Sequence, residues 1–229
     1  MAPTSHHIPT ASTDLSSIKG RLLLVGLTGG IGSGKTMVSE QLSNLGGGLV
    51  DSDLIAHEIT AAGGIAIPPI REEFGDRFID SEGALDRKKM RELVFIKPQA
   101  RHLLEQITHP LIRKEAIAQA LTIARSGEAP YLVFVVPLLI ESGVWMDIID
   151  YLAVVDCPPE MQISRVMQRS NLSHIDAQNI LNAQISRDAR LAKADFVIEN
   201  NASLDQLNLQ VLNLHQKLLK LAKDLRSSA

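Results

Sequence analysis

A chain of 229 residues can bury one sizeable core, and 45 % apolar with 21 % charged residues is ordinary globular usage. Aromatic residues make up only 3 %, so Leu, Ile, Val and Ala must fill the interior, and a formal charge of −3 gives no overall attraction to nucleic acid or acidic membranes. The single cysteine, Cys157, excludes an intrachain disulfide framework and a cysteine-built zinc site, and points to a reducing, cytoplasmic setting.

Residues 1–20 are rich in Ser, Thr and Pro and have neither the apolar stretch of a secretory signal nor the arginines of a transit peptide, so they read as a flexible tail. From 21 to 229 the chain reads as one domain. Residues 21–27 (RLLLVGL) are a short apolar run with turn signals after it, which predicts a buried strand. Val38, Leu42 and Leu45 continue at helical spacing until the glycines at 46–48 stop them. Residues 48–53 (GLVDSD) give a second short strand. Residues 54–125 are mostly helical in pattern, broken at 61–64 (AAGG), at Pro68 and Pro69, at 80–86 (DSEGALD), and at His109 and Pro110, where the proline is expected to open a new helix.

The most strand-like segment is 131–136 (YLVFVV). The apolar run that contains it ends at Ile140, includes Pro137, and falls short of the roughly 20 residues of a membrane span. A further strand at 148–157 is closed by two prolines, and helices are predicted at 160–169 and within 171–194, with a last strand at 195–200 and a final helix at 202–225. Short buried strands alternating with helices predict an α/β fold with a parallel sheet covered on both faces. The core is expected to take residues of about 21–60, 128–165 and 193–229, with a helical insertion at about 61–127 and a lid at about 166–192.

Between the first strand and first helix, Gly29-Gly30-Ile31-Gly32-Ser33-Gly34-Lys35-Thr36 fits G-x-x-x-x-G-K-[ST] in full. Wrapping backbone N–H groups around phosphate oxygens demands residues without side chains at the tight positions, and the helix that follows adds the positive end of its dipole. Lys35 would place its charge on the outer phosphates, and Thr36 would offer its hydroxyl to Mg²⁺. A glycine turn can satisfy the pattern without a ligand, but here it lies between a predicted strand and a predicted helix, the context that nucleotide binding requires.

Asp51 and Asp53 fall at the carboxyl end of the second strand, where ligands bind in open α/β sheets. Asp53 is either a general base for an attacking hydroxyl or a helix N-cap. Arg165 and Arg169 are four apart on one predicted helix, and Arg187 and Arg190 are three apart on another, so each pair shares a face. The break between them could be a lid tip, with the arginines closing on a triphosphate, or they could be solvated surface charges. A guanine switch protein would carry N-K-x-D; the sequence has no Asn-Lys pair, and D-x-x-G occurs only in 80–83, which reads as a polar turn.

Several blocks resemble the dephospho-CoA kinase family of the P-loop kinase group: LTGGIGSGKT, VDSDLIAHEI, GALDRKKMRELVF, ITHPLIR, VVPLLIESG, VVDCPPEMQISRVMQR and AQISRDARLAKADFVIENN, in order from Leu24 to about Asn201. The resemblance implies a P-loop kinase fold with a parallel five-stranded sheet flanked by helices, a helical substrate-binding insertion and a helical lid. It implies ATP and Mg²⁺ as cofactors and phosphorylation of the ribose 3′-hydroxyl of dephospho-CoA, with no nucleic-acid or membrane partner and a monomer or small homo-oligomer. By motif, Asp53 would be the base, Lys35 and Arg169 would act on the transferring phosphoryl, and Asp51 would order magnesium through water. Gly30, Ile31, Gly32, Ser33, Gly34, Lys35, Thr36 and Met37, with Arg165, Arg169 and Arg187, would hold the nucleotide. Thr28, Asp53, His109, Pro137, Leu138 and Glu141 would shape the acceptor side. Ser52 stands where the family has alanine between the acids, and Thr36-Met37 where Ser-Thr is common. Other small-molecule P-loop kinases and nucleotide-driven regulatory ATPases are the alternative readings.

The seven histidines show no H-E-x-x-H spacing, and His57 and His102 read as surface or packing residues. His109 either contacts the acceptor or simply precedes a proline-started helix. Leu204, Leu207, Val211, Leu214, Leu218, Leu221 and Leu225 alternate spacings of three and four, a heptad seam that Leu212 and Leu219 widen into a stripe suited to packing along the domain. Cys157 and Trp145 read as structural.

Overall fold

The computed structural model describes residues 15–227. Residues 1–14 of the expected tail lie outside them. The last residues of that tail are part of the fold: Leu15–Ser17 form a 3-10 turn, and Leu15 and Ile18 are buried.

Five strands form one sheet: β1 (Leu23–Gly29), β2 (Gly48–Asp51), β3 (Tyr131–Val135), β4 (Tyr151–Asp156) and β5 (Phe196–Glu199). Their order across the sheet is β2-β3-β1-β4-β5. β1 is therefore central, in parallel register with β3 (Val25 opposite Val133) and β4 (Leu27 opposite Ala153), and β4 pairs in parallel with β5. Every residue of β1 and β3 is buried, which is why both read as unbroken apolar runs and not as alternating ones.

Helices α1 (Lys35–Asn44), α2 (Ser52–Ile59), α3 (Ile67–Phe74), α4 (Arg87–Ile96) and α5 (Pro98–Ser126) occupy the first half of the chain. The second half carries α6 (Leu139–Ser142), α7 (Pro159–Ser170), α8 (His174–Asn182), α9 (Arg187–Leu191) and α10 (Leu204–Ser227). Among the described residues no helix is long and apolar enough to cross a membrane.

The chain divides into two compact units, one of residues 51–119 and one made of the residues on either side. In the sheet-bearing unit, side chains of β1 alternate between two layers. Leu23, Val25 and Leu27 join Val38 and Leu42 of α1 and Leu207, Val211, Leu214 and Leu218 of α10 in one cluster. The opposite face meets Leu139 and Ile149: a Cβ on Gly26 would come within 2.8 Å of Ile149 and 2.9 Å of Leu139. Trp145 is buried beyond them, its ring 5.1 Å from that of Phe134.

The α10 seam from Leu207 to Leu218 thus packs on the sheet, while Leu204 at its start is exposed. Leu212 and Leu219, which widen the stripe in the sequence, are 39 % and 38 % exposed and flank the buried line without entering it. His215 lies within that line, its Nδ1 2.7 Å from the Tyr131 hydroxyl. Burial pushes the His215 imidazole down and the Tyr131 phenol up from their ordinary values.

In the second unit, Ile55, Ile59, Ile67, Ile70, Phe78 and Met90 are buried. Pro68 and Pro69 lie in the first turn of α3, where a missing N–H costs nothing. Residues 80–83 form the expected polar turn: the Asp80 carboxylate accepts from the N–H groups of Glu82 and Ala84 at 3.0 and 2.9 Å. One expectation is corrected. Pro110 does not start a helix; α5 runs through it for 29 residues. The proline forfeits one hydrogen bond, and the Thr108 hydroxyl donates to the Leu104 carbonyl at 2.9 Å just before it, a local side-chain bond of the kind that accompanies bent helices. His109 is therefore an exposed mid-helix residue and not a residue at a break.

Candidate active site

β1 ends at Gly29 and α1 begins at Lys35, so the glycine-rich loop crosses the carboxyl edge of the sheet between the central strand and the helix after it. Gly32 and Gly34 have φ of +71° and +95°, conformations that L side chains rarely adopt. Gly34 is the N-cap of α1 and supplies no side-chain cap, which leaves the N–H groups of the first turn directed into the loop. The Lys35 ammonium folds back to donate to the Gly29 carbonyl at 2.8 Å and the Gly30 carbonyl at 3.4 Å. Thr36 and Met37 are exposed on the first turn.

The loop is hemmed in by its own protein as well as shaped for a ligand. A Cβ on Gly30 would sit 2.3 Å from the Gln162 side-chain nitrogen, and one on Gly34 would sit 2.2 Å from the Asn200 side-chain nitrogen. The Asn200 amide donates to the Ser33 carbonyl at 2.7 Å, and the Gln184 side-chain carbonyl accepts from the Ile31 N–H at 3.0 Å. Ser33 is fully buried, and among the described residues its Oγ has no hydrogen-bond partner. Gln162, Gln184 and Asn200 were missed by the sequence reading; no local spacing marks a residue that meets the loop across more than a hundred positions.

The four arginines divide. Arg165 on α7 donates to the Gly32 carbonyl at 3.4 Å and the Asn200 carbonyl at 3.2 Å, so it braces the loop from behind. It also lies 3.4 Å from the Cys157 sulfur, whose thiol burial pushes up. Arg169 is exposed in the last turn of α7. Arg187 is held by the buried Asp156 carboxylate, which keeps its guanidinium above the usual arginine value. Arg190 is 7 % exposed, donates to the Ile185 carbonyl at 2.9 Å, and is pushed down by burial.

The segment after β3 carries three of the expected acceptor-side residues and touches a fourth, Thr28 of β1. The Thr28 hydroxyl, buried, donates to the Val136 carbonyl at 3.1 Å. Pro137 and Leu138 follow, and Leu138 has φ of +53°, a strained conformation for a leucine that caps α6. The Glu141 carboxylate accepts from the Ile185 N–H at 3.1 Å.

In the other unit, Asp51 is the N-cap of α2: its carboxylate accepts from the N–H groups of Asp53 and Leu54 at 2.8 and 3.2 Å. The capping role therefore falls to Asp51, and Asp53 is exposed in the first helical turn. His109 is exposed on α5. Among the described residues no three His, Cys, Asp or Glu side chains cluster as metal ligands. The exposed Thr36 hydroxyl at the loop fits a metal carried largely by water and phosphate, as Mg²⁺ usually is.

A five-stranded parallel sheet whose middle strand opens into this loop and an uncapped helix is a P-loop kinase fold. The family model described as dephospho-CoA kinase matches residues 23–206. The chain belongs to the dephospho-CoA kinase family, and it is a kinase. It is 52 % identical to a dephospho-CoA kinase of Aromatoleum aromaticum over 87 % of this chain and 96 % of that one. Identity is also 52 % to that of Burkholderia pseudomallei, over 89 % and 98 %. Among solved structures, the Campylobacter jejuni dephospho-CoA kinase aligns with a TM-score of 0.64 at 30 % identity, covering 86 % of this chain and 97 % of that one. A Thermus thermophilus protein, TT1252, aligns with a TM-score of 0.66 at 30 % identity over 86 % and 98 %.

Proposed function

We propose that the protein transfers the γ-phosphate of ATP to the ribose 3′-hydroxyl of dephospho-CoA, giving coenzyme A and ADP. The observation that carries this reading is family membership over nearly the whole length of its relatives, joined to a complete phosphate loop on the central strand.

The loop N–H groups and the first turn of α1 hold the phosphates of ATP, with Lys35 and the Thr36 hydroxyl at the outer end. Mg²⁺, when bound, neutralises charge on the β- and γ-phosphates; Thr36 would hold it directly and Asp51 through water. Asp53 accepts the proton of the acceptor hydroxyl as the oxygen attacks phosphorus. Arg169 supplies charge to the transferring phosphoryl, and Arg165 fixes the loop that presents it. Thr28, Pro137, Leu138, Glu141 and His109 shape the acceptor side. Positioning and charge neutralisation suffice for such a transfer, so no covalent nucleophile is required of the protein.

A coupled ADP-release assay with dephospho-CoA, a sugar, shikimate and a nucleoside monophosphate as acceptors tests the reading. Dephospho-CoA alone is expected to stimulate turnover. Equal stimulation by another acceptor, or hydrolysis indifferent to all of them, overturns it.

A further inference from the structure

The phosphate loop is gripped by two side-chain amides from distant parts of the chain, one accepting and one donating. Gln184, between α8 and α9, takes the Ile31 N–H at 3.0 Å; Asn200, just past β5, gives its amide N–H to the Ser33 carbonyl at 2.7 Å. They bracket the three residues of the loop whose turn aims its N–H groups.

Both side chains spring from anchored backbone. The Asn200 N–H donates to the Asp156 carbonyl at 2.8 Å and its carbonyl accepts from Arg165 at 3.2 Å, so its backbone is tied to β4 and α7. Asn200 is 8 % exposed, which leaves its side chain little rotamer freedom. Next to Gln184, the Ile185 N–H is taken by Glu141 and the Ile185 carbonyl by Arg190. The Ser33 backbone is held at both ends, its N–H by the Gly30 carbonyl at 3.1 Å and its carbonyl by Asn200, while among the described residues its buried hydroxyl has no hydrogen-bond partner. Gly34 leaves the room Asn200 occupies, since any side chain there would collide with the amide.

We propose that Gln184 and Asn200 are positioning residues for nucleotide binding, acting through the loop backbone and not by touching ATP themselves. A loop clamped before the ligand arrives loses less freedom on binding, and its N–H groups need not be reoriented. The inference rests on the ATP reading above.

Two near-isosteric variants test it. Asn200→Asp replaces the donor by an acceptor facing the Ser33 carbonyl; Gln184→Met keeps the length and removes the acceptor. ATP affinity is measured by calorimetry without acceptor, alongside kcat and the KM for dephospho-CoA. Each variant is expected to weaken ATP binding roughly tenfold, the scale of one lost hydrogen bond in a buried set, with the acceptor KM within about twofold of wild type. If ATP affinity stays within about twofold of wild type while only the Tm falls, the residues are merely structural and the proposal is overturned. Gln184 is half-buried, so Gln184→Met decides the matter should Asn200→Asp fail to fold. Failure of the acceptor assignment would show separately, as wild-type protein that binds ATP without dephospho-CoA-stimulated turnover. Wild-type protein that does not bind ATP overturns both.

Discussion

The Asp156 carboxylate, at the end of β4, receives three hydrogen bonds from the Arg187 guanidinium on α9, at 2.9, 3.1 and 2.6 Å. The two partners differ in exposure, 8 % for the Asp156 side chain and 44 % for that of Arg187. That asymmetry sets an order of effects. Arg187→Ala leaves a desolvated carboxylate without its donors and is expected to cost about 1–3 kcal/mol of stability. Adding Asp156→Asn removes the stranded charge and should recover much of the loss. Urea unfolding of the single and double variants checks this; additive losses would mean that the pair does not act as a unit.

Gly34→Ala and Gly46→Ala make an informative pair. Their φ angles are +95° and +96°, so both pay for a left-handed alanine, roughly 1–2 kcal/mol. Only at Gly34 does the new methyl meet another group, the Asn200 amide; around Gly46 there is nothing within 4 Å. Gly34→Ala should therefore lose more stability than Gly46→Ala and lose ATP binding as well. Equal effects in thermal melts would mean that the loop yields to the methyl.

Asp51 and Asp53 should separate by assay. Asp53→Asn is expected to lower kcat by roughly 100-fold, the scale of a lost general base, with ATP affinity retained. Asp51→Ala removes the cap that bonds the N–H groups of Asp53 and Leu54, and should cost about 1 kcal/mol of stability. A kcat near wild type in Asp53→Asn would remove it from the role of base.

The burial of His215 gives stability a pH dependence with a definite sign. Burial holds the His215 pKa below its ordinary 6.5, so between the folded and unfolded values the unfolded chain binds more protons. The contribution is fully present above the unfolded value and is lost as pH falls from there through the lower, folded value. His215→Gln should flatten the stability profile below about pH 6.5 relative to wild type, as measured by urea unfolding at a series of pH values. An unchanged slope would assign the acid sensitivity to other groups.

Much of this architecture is written locally. β1, β3 and β4 appear as apolar runs because a parallel strand is buried on both faces, and the loop appears because its glycines and Lys35 are consecutive. α10 was legible from its leucine spacing. What escaped was set by distance and context. Pro110 breaks helices in general, yet α5 continues through it at the cost of a single bond. Asp51 and Asp53 are equally good caps on paper, and only the backbone geometry at the end of β2 assigns the cap to Asp51. The partners of Arg165 and Arg187, the Gly32 and Asn200 carbonyls and the Asp156 carboxylate, are likewise distant in sequence. Gln162, Gln184 and Asn200 reach the loop through the fold, so no spacing rule could reveal them.

The scarcity of aromatic residues has a practical consequence. Trp145 is the single tryptophan of the chain, and it is buried, tilted at 32° against Phe134. Its intrinsic fluorescence is thus a one-site signal from the layer beneath the central strand, with no second indole to blur it. Loss of that packing should change the emission as the ring meets water, so the unfolding comparisons above can be followed at one identified position without any introduced dye.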